Sequence, residues 1–391
     1  MLLYVHVPFC RRKCRYCAFH STVPAKGDLA AYATLAEREI RHWGRTLGHP
    51  EIRTIFFGGG TPSLLPLPQW GRLVTAIRES FTLLPNLEFT TEANPESLTD
   101  WAYLQGLMGF GVNRLSMGVQ STDDAMLTLL GRPHTAADAH RAFDLARNVG
   151  FANISVDLIW GLPGQRLATW LHQLREIVRW RPEHMSCYGL SFEPGTPFEH
   201  MLDTGDITPV DEQEQAKMFI HGAEYLESEG YLQYEISNFA RMGFTSRHNL
   251  GYWEGEDYLG IGPSAVSTLN ARRWQNPTEP KAYARAIESG TLGGDFEALD
   301  AATHAREMVM LRLRTARGLH LADYHSATGR DFLKDFGPMV QALRQNGLVR
   351  LSQGHLRLSK TGMIVSDTIL GNLFDSPVWD APAPDERHPG D

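Results

Sequence analysis

The chain has 391 residues, 42% of them hydrophobic and 21% charged, with a net charge of −8 at neutral pH. That length suits two or three domains, and the composition is that of a soluble globular protein. The acidic balance argues against nucleic acid as a partner, no apolar run approaches the ~20 residues of a membrane span, and the basic residues near the start follow the first apolar run instead of preceding it, unlike a secretory signal. A reducing cytoplasm is therefore the expected compartment.

In chain order, short apolar runs alternate with longer amphipathic ones. Leu2–Val7, Thr54–Phe57, Leu87–Thr91, Arg114–Met117, Ile154–Ile159 and Met185–Leu190 read as strands. Helical periodicity falls over Leu29–Trp43, Pro68–Ser80, Asp100–Met108, Ala136–Val149 and Thr169–Trp180. Asp28 is placed to cap the first helix and Gly150 to end the fourth. Repeated strand–helix alternation implies an α/β fold with a parallel sheet and helices outside it. Six units suit a partial (β/α)6 barrel over residues 1–240, closed by a helix at Pro209–Glu229. Residues 241–280, rich in Gly, Asn and aromatic side chains, read as an irregular connection. Over 281–374, helices are expected at Lys281–Ser289, Ala301–Leu313 and Gly337–Gln345, with a hairpin from Leu348–Leu351 to His355–Leu358. This smaller, mainly helical domain reads as winged-helix-like; lacking a basic face, it is expected to pack or cover and not to bind DNA. Residues 375–391, dense in Pro, Asp and Glu, read as a disordered tail.

Three of the four cysteines fall within eight residues, Cys10-Arg11-Arg12-Lys13-Cys14-Arg15-Tyr16-Cys17, on the loop leaving the first strand. Structural zinc and ordinary electron-transfer [4Fe–4S] clusters take four protein ligands. Three thiolates on such a cube leave one iron open to a small molecule. A disulfide is disfavoured, because three thiols leave one over. Cys187, alone in an apolar stretch, reads as an ordinary buried cysteine.

Parallel α/β folds gather their chemistry at the carboxyl ends of strands, and polar or glycine-rich strings recur there. Gly58-Gly59-Gly60-Thr61-Pro62 follows the second strand, and Glu92-Ala93-Asn94-Pro95 ends the third. Gly118-Val119-Gln120-Ser121 ends the fourth, with Gly131-Arg132-Pro133-His134 beyond, and Asp157 lies within the fifth. Consecutive glycines admit close approach of a ligand or simply a tight turn. Glu92 suits a ligand or a helix cap. Asp157, inside an apolar run, needs a ligand or a partner such as Arg132.

The C-x3-C-x2-C spacing with Tyr16 before its last cysteine resembles the cluster loop of the radical S-adenosylmethionine (AdoMet) superfamily. The strings above run in the order found in its oxygen-independent coproporphyrinogen III oxidase-like (HemN-like) family. The resemblance implies a [4Fe–4S] cluster on Cys10, Cys14 and Cys17, whose open iron chelates AdoMet and whose electron cleaves it to a 5′-deoxyadenosyl radical. It implies an AdoMet site at Tyr4, Tyr16, Gly59, Gly60, Thr61, Glu92, Gln120, Arg132 and Asp157, with Thr61 standing where many members have glutamate.

Two features separate the chain from the oxidase proper. Phe19 takes the place of an extra cysteine, and the sequence starts at the first strand, without the oxidase's N-terminal arm. Both resemble the HemW haem-chaperone family, as does Arg247-His248-Asn249-Leu250-Gly251-Tyr252-Trp253, which matches its H-N-x-x-Y-W motif. An imidazole ligates haem iron, while Tyr and Trp offer flat apolar faces. His248, Asn249, Tyr252 and Trp253 are thus the haem-binding candidates, and a structural turn packing two aromatics is the alternative. Gly260-Ile261-Gly262-Pro263-Ser264-Ala265-Val266 lacks a histidine that many relatives carry nearby. The resemblance implies a chaperone that passes haem to apo-haemoproteins, with homodimerisation and peripheral membrane association. The alternative function is radical oxidative decarboxylation of coproporphyrinogen III to protoporphyrinogen IX. Another radical AdoMet reaction ranks last, since it leaves the haem motif unexplained.

Overall fold

The computed structural model describes residues 1–380, so of the expected tail, 381–391 lie outside the described residues. The first half runs β1 (Leu2–Val7), α1 (Asp28–Thr46), β2 (Glu51–Gly59), α2 (Leu67–Ser80), β3 (Thr82–Ala93), α3 (Trp101–Gly109), β4 (Arg114–Gln120), α4 (Asp124–Leu130), α5 (Ala136–Val149), β5 (Ile154–Trp160), α6 (Leu167–Trp180) and β6 (His184–Gly189). The six strands pair in sequence order and all in parallel. After α7 (Pro197–Asp203), α8 (Glu212–Ser228) and β7 (Leu232–Gln233), β8 (Asn238–Ala240) joins β6 antiparallel. The two outer strands of the sheet do not pair, so the barrel is partial.

Residues 241–280 depart from expectation. They form α9 (Arg247–Trp253), β9 (Tyr258–Ile261), β10 (Val266–Leu269) and β11 (Arg272–Gln275). β9 runs parallel to β1 on the side away from β2, with Leu3 opposite Leu259 and Val5 opposite Ile261. The reason is hydrogen bonding: without β9, one edge of the buried strand β1 would carry unpaired N–H and C=O groups. The sheet therefore runs past residue 240, through β12 (Glu297–Ala298). α10 (Pro280–Ser289) belongs to this side too: Tyr283 donates to Glu39 of α1 at 2.5 Å, and Glu39 also accepts from Gly262 N (2.8 Å) and Asn276 Nδ2 (2.7 Å).

Side chains alternate along the inner strands. On β4, Leu115, Met117 and Val119 join the core beneath the helices, while Arg114, Ser116, Gly118 and Gln120 line the barrel interior. On β5 and β6, Ile154, Val156, Leu158, Met185 and Cys187 face outward, and Asp157, Ser186 and Tyr188 face in. A parallel strand buried on both faces reads as continuously apolar; polar residues at every second position mark a barrel with a polar lumen. Cys187 is a buried free thiol, its pKa raised by burial.

Local corrections have local causes. Gly27, at φ 98°, caps α1; Asp28 sits in the first turn and accepts from Ala25 N at 2.8 Å. Gly150 ends α5 as expected. The two seven-residue helices α4 and α7 are too short for periodicity to reveal. In the C-terminal domain, α11 (Ala301–Leu313), α12 (Leu321–Thr328) and α13 (Phe332–Gln345) pack on a three-stranded antiparallel sheet of β13 (Leu319–His320), β15 (His355–Leu358) and β14 (Val349–Ser352). Its separate core includes Val309, Leu313, Tyr324, Phe332 and Leu356. α13 starts ahead of Gly337 because Asp331 caps it, accepting from Leu333 N at 2.9 Å, and Pro338 is accommodated inside. Part of the expected tail is ordered: Pro377–Asp380 makes a 3-10 turn, with the Trp379 ring 5.7 Å from that of Phe336. No helix among the described residues is long and apolar enough to cross a membrane.

Candidate functional site

The cysteine loop leaves β1 and folds back on itself: Cys10 N donates to Thr22 O at 3.0 Å, and Thr22 N donates to Pro8 O at 2.9 Å. It is also tied across the barrel mouth, with Arg15 N donating to Leu130 O at 3.0 Å. Cys14 is buried, and Cys10 and Cys17 are half-buried. A chain of hydrogen bonds joins two of the sulfurs. Thr61 Oγ1 donates to Cys10 Sγ (3.5 Å) and accepts from Asn94 Nδ2 (2.9 Å); Asn94 Oδ1 accepts from Arg132 Nη2 (2.5 Å), whose Nη1 donates to Cys14 Sγ (3.4 Å). Arg132 is thereby committed to the loop and to Gly118 O (2.8 Å), not to Asp157. Asp157 instead accepts from three serine hydroxyls, Ser116 (3.0 Å), Ser155 (3.2 Å) and Ser186 (2.7 Å), each on β4, β5 or β6. Burial raises its pKa.

The glycine loop is explained by close packing. Gly59 has φ 104°, and a Cβ there would lie 2.4 Å from the His6 ring; a Cβ at Gly60 would lie 2.5 Å from Phe9 O. Both positions thus bring the loop after β2 against β1 and the start of the cysteine loop. Glu92 accepts from Gly59 N at 3.1 Å and so holds that loop, instead of capping a helix. Burial and then the nearby Asp157 push its carboxyl up to about 8. Gln120 sits at φ 65° where the β4–β5 register shifts, which turns its side chain into the cavity. A non-glycine residue in that region is uncommon and typical of functional sites. Tyr16, beside the thiols, has its phenol pKa raised by burial.

These groups surround one cavity of about 750 Å³, of the size that takes a cofactor. Cys10, Cys14, Cys17, Tyr16, Gly60, Gln120 and Arg132 form its rim, and Tyr4, Phe56, His248, Asn249 and Tyr252 its floor. Thr61 lies behind the rim and Trp253 outside the lining. The floor is α9, held by one carboxylate: Glu88 accepts from Arg247 N and His248 N, both at 2.9 Å, where the unpaired N–H groups of a helix start need an acceptor. His248 stacks on Phe56 at 5.0 Å, and both ring nitrogens are engaged, Nδ1 with Thr54 Oγ1 (2.8 Å) and Nε2 with the Tyr252 hydroxyl (3.0 Å). Burial pushes its pKa down to about 3, so the ring is neutral. As a haem ligand it must first exchange the Tyr252 hydroxyl.

The donor set fits a cluster better than a single ion. The three clustered cysteines are one thiolate short of the four protein ligands that structural zinc takes. A cube instead holds its thiolates at separate corners, and hydrogen bonds to the cysteine sulfurs, as from Thr61 and Arg132, tune such clusters.

Residues 4–177 match the radical SAM superfamily and residues 299–365 the HemN C-terminal domain. The chain is 34% identical over 370 residues to the heme chaperone HemW of Bacillus subtilis, spanning 94% of this chain and 97% of that one. It is 35% identical to the heme chaperone HemW of Synechocystis, spanning 95% of each. The chain belongs to the HemW family. The same comparison relates it to the mitochondrial radical S-adenosyl methionine domain-containing protein 1 of Bos taurus, at 34% identity over 95% of this chain and 87% of that one. The solved structure of Escherichia coli coproporphyrinogen III oxidase (HemN), a radical SAM enzyme, shares the fold, with a TM-score of 0.81 at 24% identity over 97% of this chain and 90% of that one.

Asn94, Glu88, Phe56 and Arg114 are site residues that motif reading did not assign. The signal that finds Arg114 is the every-second-residue polarity of β4.

Proposed function

We propose that this HemW-family chain is a cytoplasmic haem chaperone, which takes haem into the barrel cavity and releases it to apo-haemoproteins. The observation that carries the reading is that His248, Asn249 and Tyr252 of the H-N-x-x-Y-W segment line the same cavity as the three clustered cysteines. Its near full-length likeness to proteins named heme chaperones supports it. Cys10, Cys14 and Cys17 would hold a [4Fe–4S] cluster, and Tyr4, Tyr16, Gly59, Gly60, Thr61, Glu92, Gln120, Arg132 and Asp157 would surround AdoMet. Together those groups supply one-electron chemistry at a sulfonium. Glu92 stays protonated at neutral pH in the empty cavity and gives up that proton from its carboxyl when a cationic ligand arrives, which converts desolvation into attraction. Tyr4, Phe56 and Tyr252 present flat faces to the macrocycle. His248 is already in the neutral form that binds iron, so ligation costs the Tyr252 hydrogen bond but no deprotonation. Homodimerisation and peripheral membrane association belong to the same reading.

The test is anaerobic, on cluster-reconstituted protein. Haem titrated by absorbance should bind, lose its histidine ligation in His248→Ala, and bind more tightly in Tyr252→Phe, where Nε2 is released. Turnover of coproporphyrinogen III to protoporphyrinogen IX with AdoMet and reductant would overturn the reading in favour of an oxidase, whose fold alone is no guide to activity.

A further inference from the structure

Arg114 opens β4 and is 1% exposed, the only arginine or lysine among the described residues to be buried so fully. Its side chain lines the barrel cavity. Among the described residues its guanidinium makes no hydrogen bond and no ion pair, and its Nε is a buried donor without an acceptor. A guanidinium keeps its charge in proteins, and a buried charge without a partner is costly. The neighbouring lumen acids attract it from a distance but give it no hydrogen bond: Glu92 is bonded to Gly59 and Asp157 to its three serines. The fork of donors on Arg114 therefore faces the cavity with its hydrogen-bonding capacity unused.

We propose that Arg114 anchors a carboxylate of the molecule held in the barrel, and that this carboxylate is a propionate of haem. The inference rests on the haem-cargo reading above. A planar fork of donors matches a carboxylate in two parallel hydrogen bonds. Position separates the two carboxylates at issue. The sheet register sets Arg114 level with Thr90, Phe56 and Tyr4, the aromatic floor. Gln120, at the rim, lies six residues farther along the same strand, or about 20 Å at ~3.3 Å per residue. The methionyl carboxylate of an AdoMet held at the cysteine loop belongs to the rim, while a macrocycle lying against Phe56 and Tyr252 brings its acidic edge to Arg114.

The experiment compares haem with its dimethyl ester on the full-length protein, by absorbance titration, in the wild type and in Arg114→Gln, with AdoMet binding to the cluster-loaded protein measured in parallel. The wild type should bind haem about tenfold or more tightly than the ester, the loss expected for a charge-assisted hydrogen bond. Arg114→Gln should reduce haem affinity to that of the ester, leaving ester and AdoMet affinities unchanged. Equal wild-type affinity for haem and ester overturns the proposal without needing the variant to fold. So does an Arg114→Gln protein that loses AdoMet and keeps haem, which would assign the carboxylate to AdoMet. If the wild type binds neither haem nor ester, the haem-cargo reading itself falls, and the proposal with it; binding of both ligands alike removes only the proposal.

Discussion

The two ends of the barrel are built on opposite plans. At the rim, loops leave parallel strands, the thiols are free, and Thr61, Asn94 and Arg132 are strung between them through side-chain hydrogen bonds. At the floor the short helix α9 is locked in place, with Glu88 on its N-terminus and His248 bonded on both sides. The rim is arranged before any ligand arrives and can lose one without unfolding. The floor has every polar atom of its central histidine satisfied, so a guest there must break a bond to enter. Under the proposed function, the rim would hold the resident cofactors and the floor the cargo.

The sharpest way to break that contrast is to damage one end at a time. Cys10→Ala should bring iron content, read by metal analysis and visible absorbance after anaerobic reconstitution, to background. Because Cys10 is half-buried on a loop, stability by urea denaturation should change by less than about 1 kcal/mol. Persistence of full iron loading would remove the cysteine loop as the cluster site. Glu88→Ala attacks the other end. It strips acceptors from two helix-start N–H groups and should cost about 3 kcal/mol by urea denaturation, with haem binding lost and iron loading kept. Unchanged stability would mean that α9 is not held by this carboxylate.

A smaller effect comes from pH. Burial raises Glu92 to about 8 and Glu39 and Glu235 to about 7, so their contribution to stability is complete below about 4.5, their unfolded value, and is lost as pH rises through 7 to 8. His248, held neutral down to about 3, works in the other direction, losing its contribution as pH falls below about 6.5. Three carboxyls outweigh one histidine, so on these four groups the melting temperature should fall steadily as pH rises from about 5 to 8. Glu92→Gln should flatten the alkaline limb by roughly 1 kcal/mol, a figure kept below the 1.36 kcal/mol of one pKa unit because the lumen is solvated. An alkaline limb identical in that variant would show Glu92 ionised throughout.

Much of the rim was legible from residue order, because a cysteine cluster and glycine run placed after consecutive strands can only meet at one end of a parallel sheet. β1 to β6 and most of their helices follow from periodicity in the same way. What escaped depends on register. Two of the three serines that bond Asp157 come from neighbouring strands, Ser186 directly opposite it on β6 and Ser116 on β4, and no spacing along the chain gives that register. Arg114 escaped because an arginine at the first position of a strand looks like a solvated end; only its alternation with Ser116, Gly118 and Gln120 places it indoors. α9 and β9 to β11 escaped because each is only four to seven residues long, too short for periodicity to show, and β9 is ordered by the open edge of β1.

The pairing of β9 with β1 also sets where this protein can be cut. A fragment ending near residue 240 keeps all six barrel units yet leaves the innermost strand with a bare, apolar margin. Such a margin recruits another chain, so the truncated piece is headed for aggregation, and a fragment that covers it must reach at least through the strand at Tyr258–Ile261.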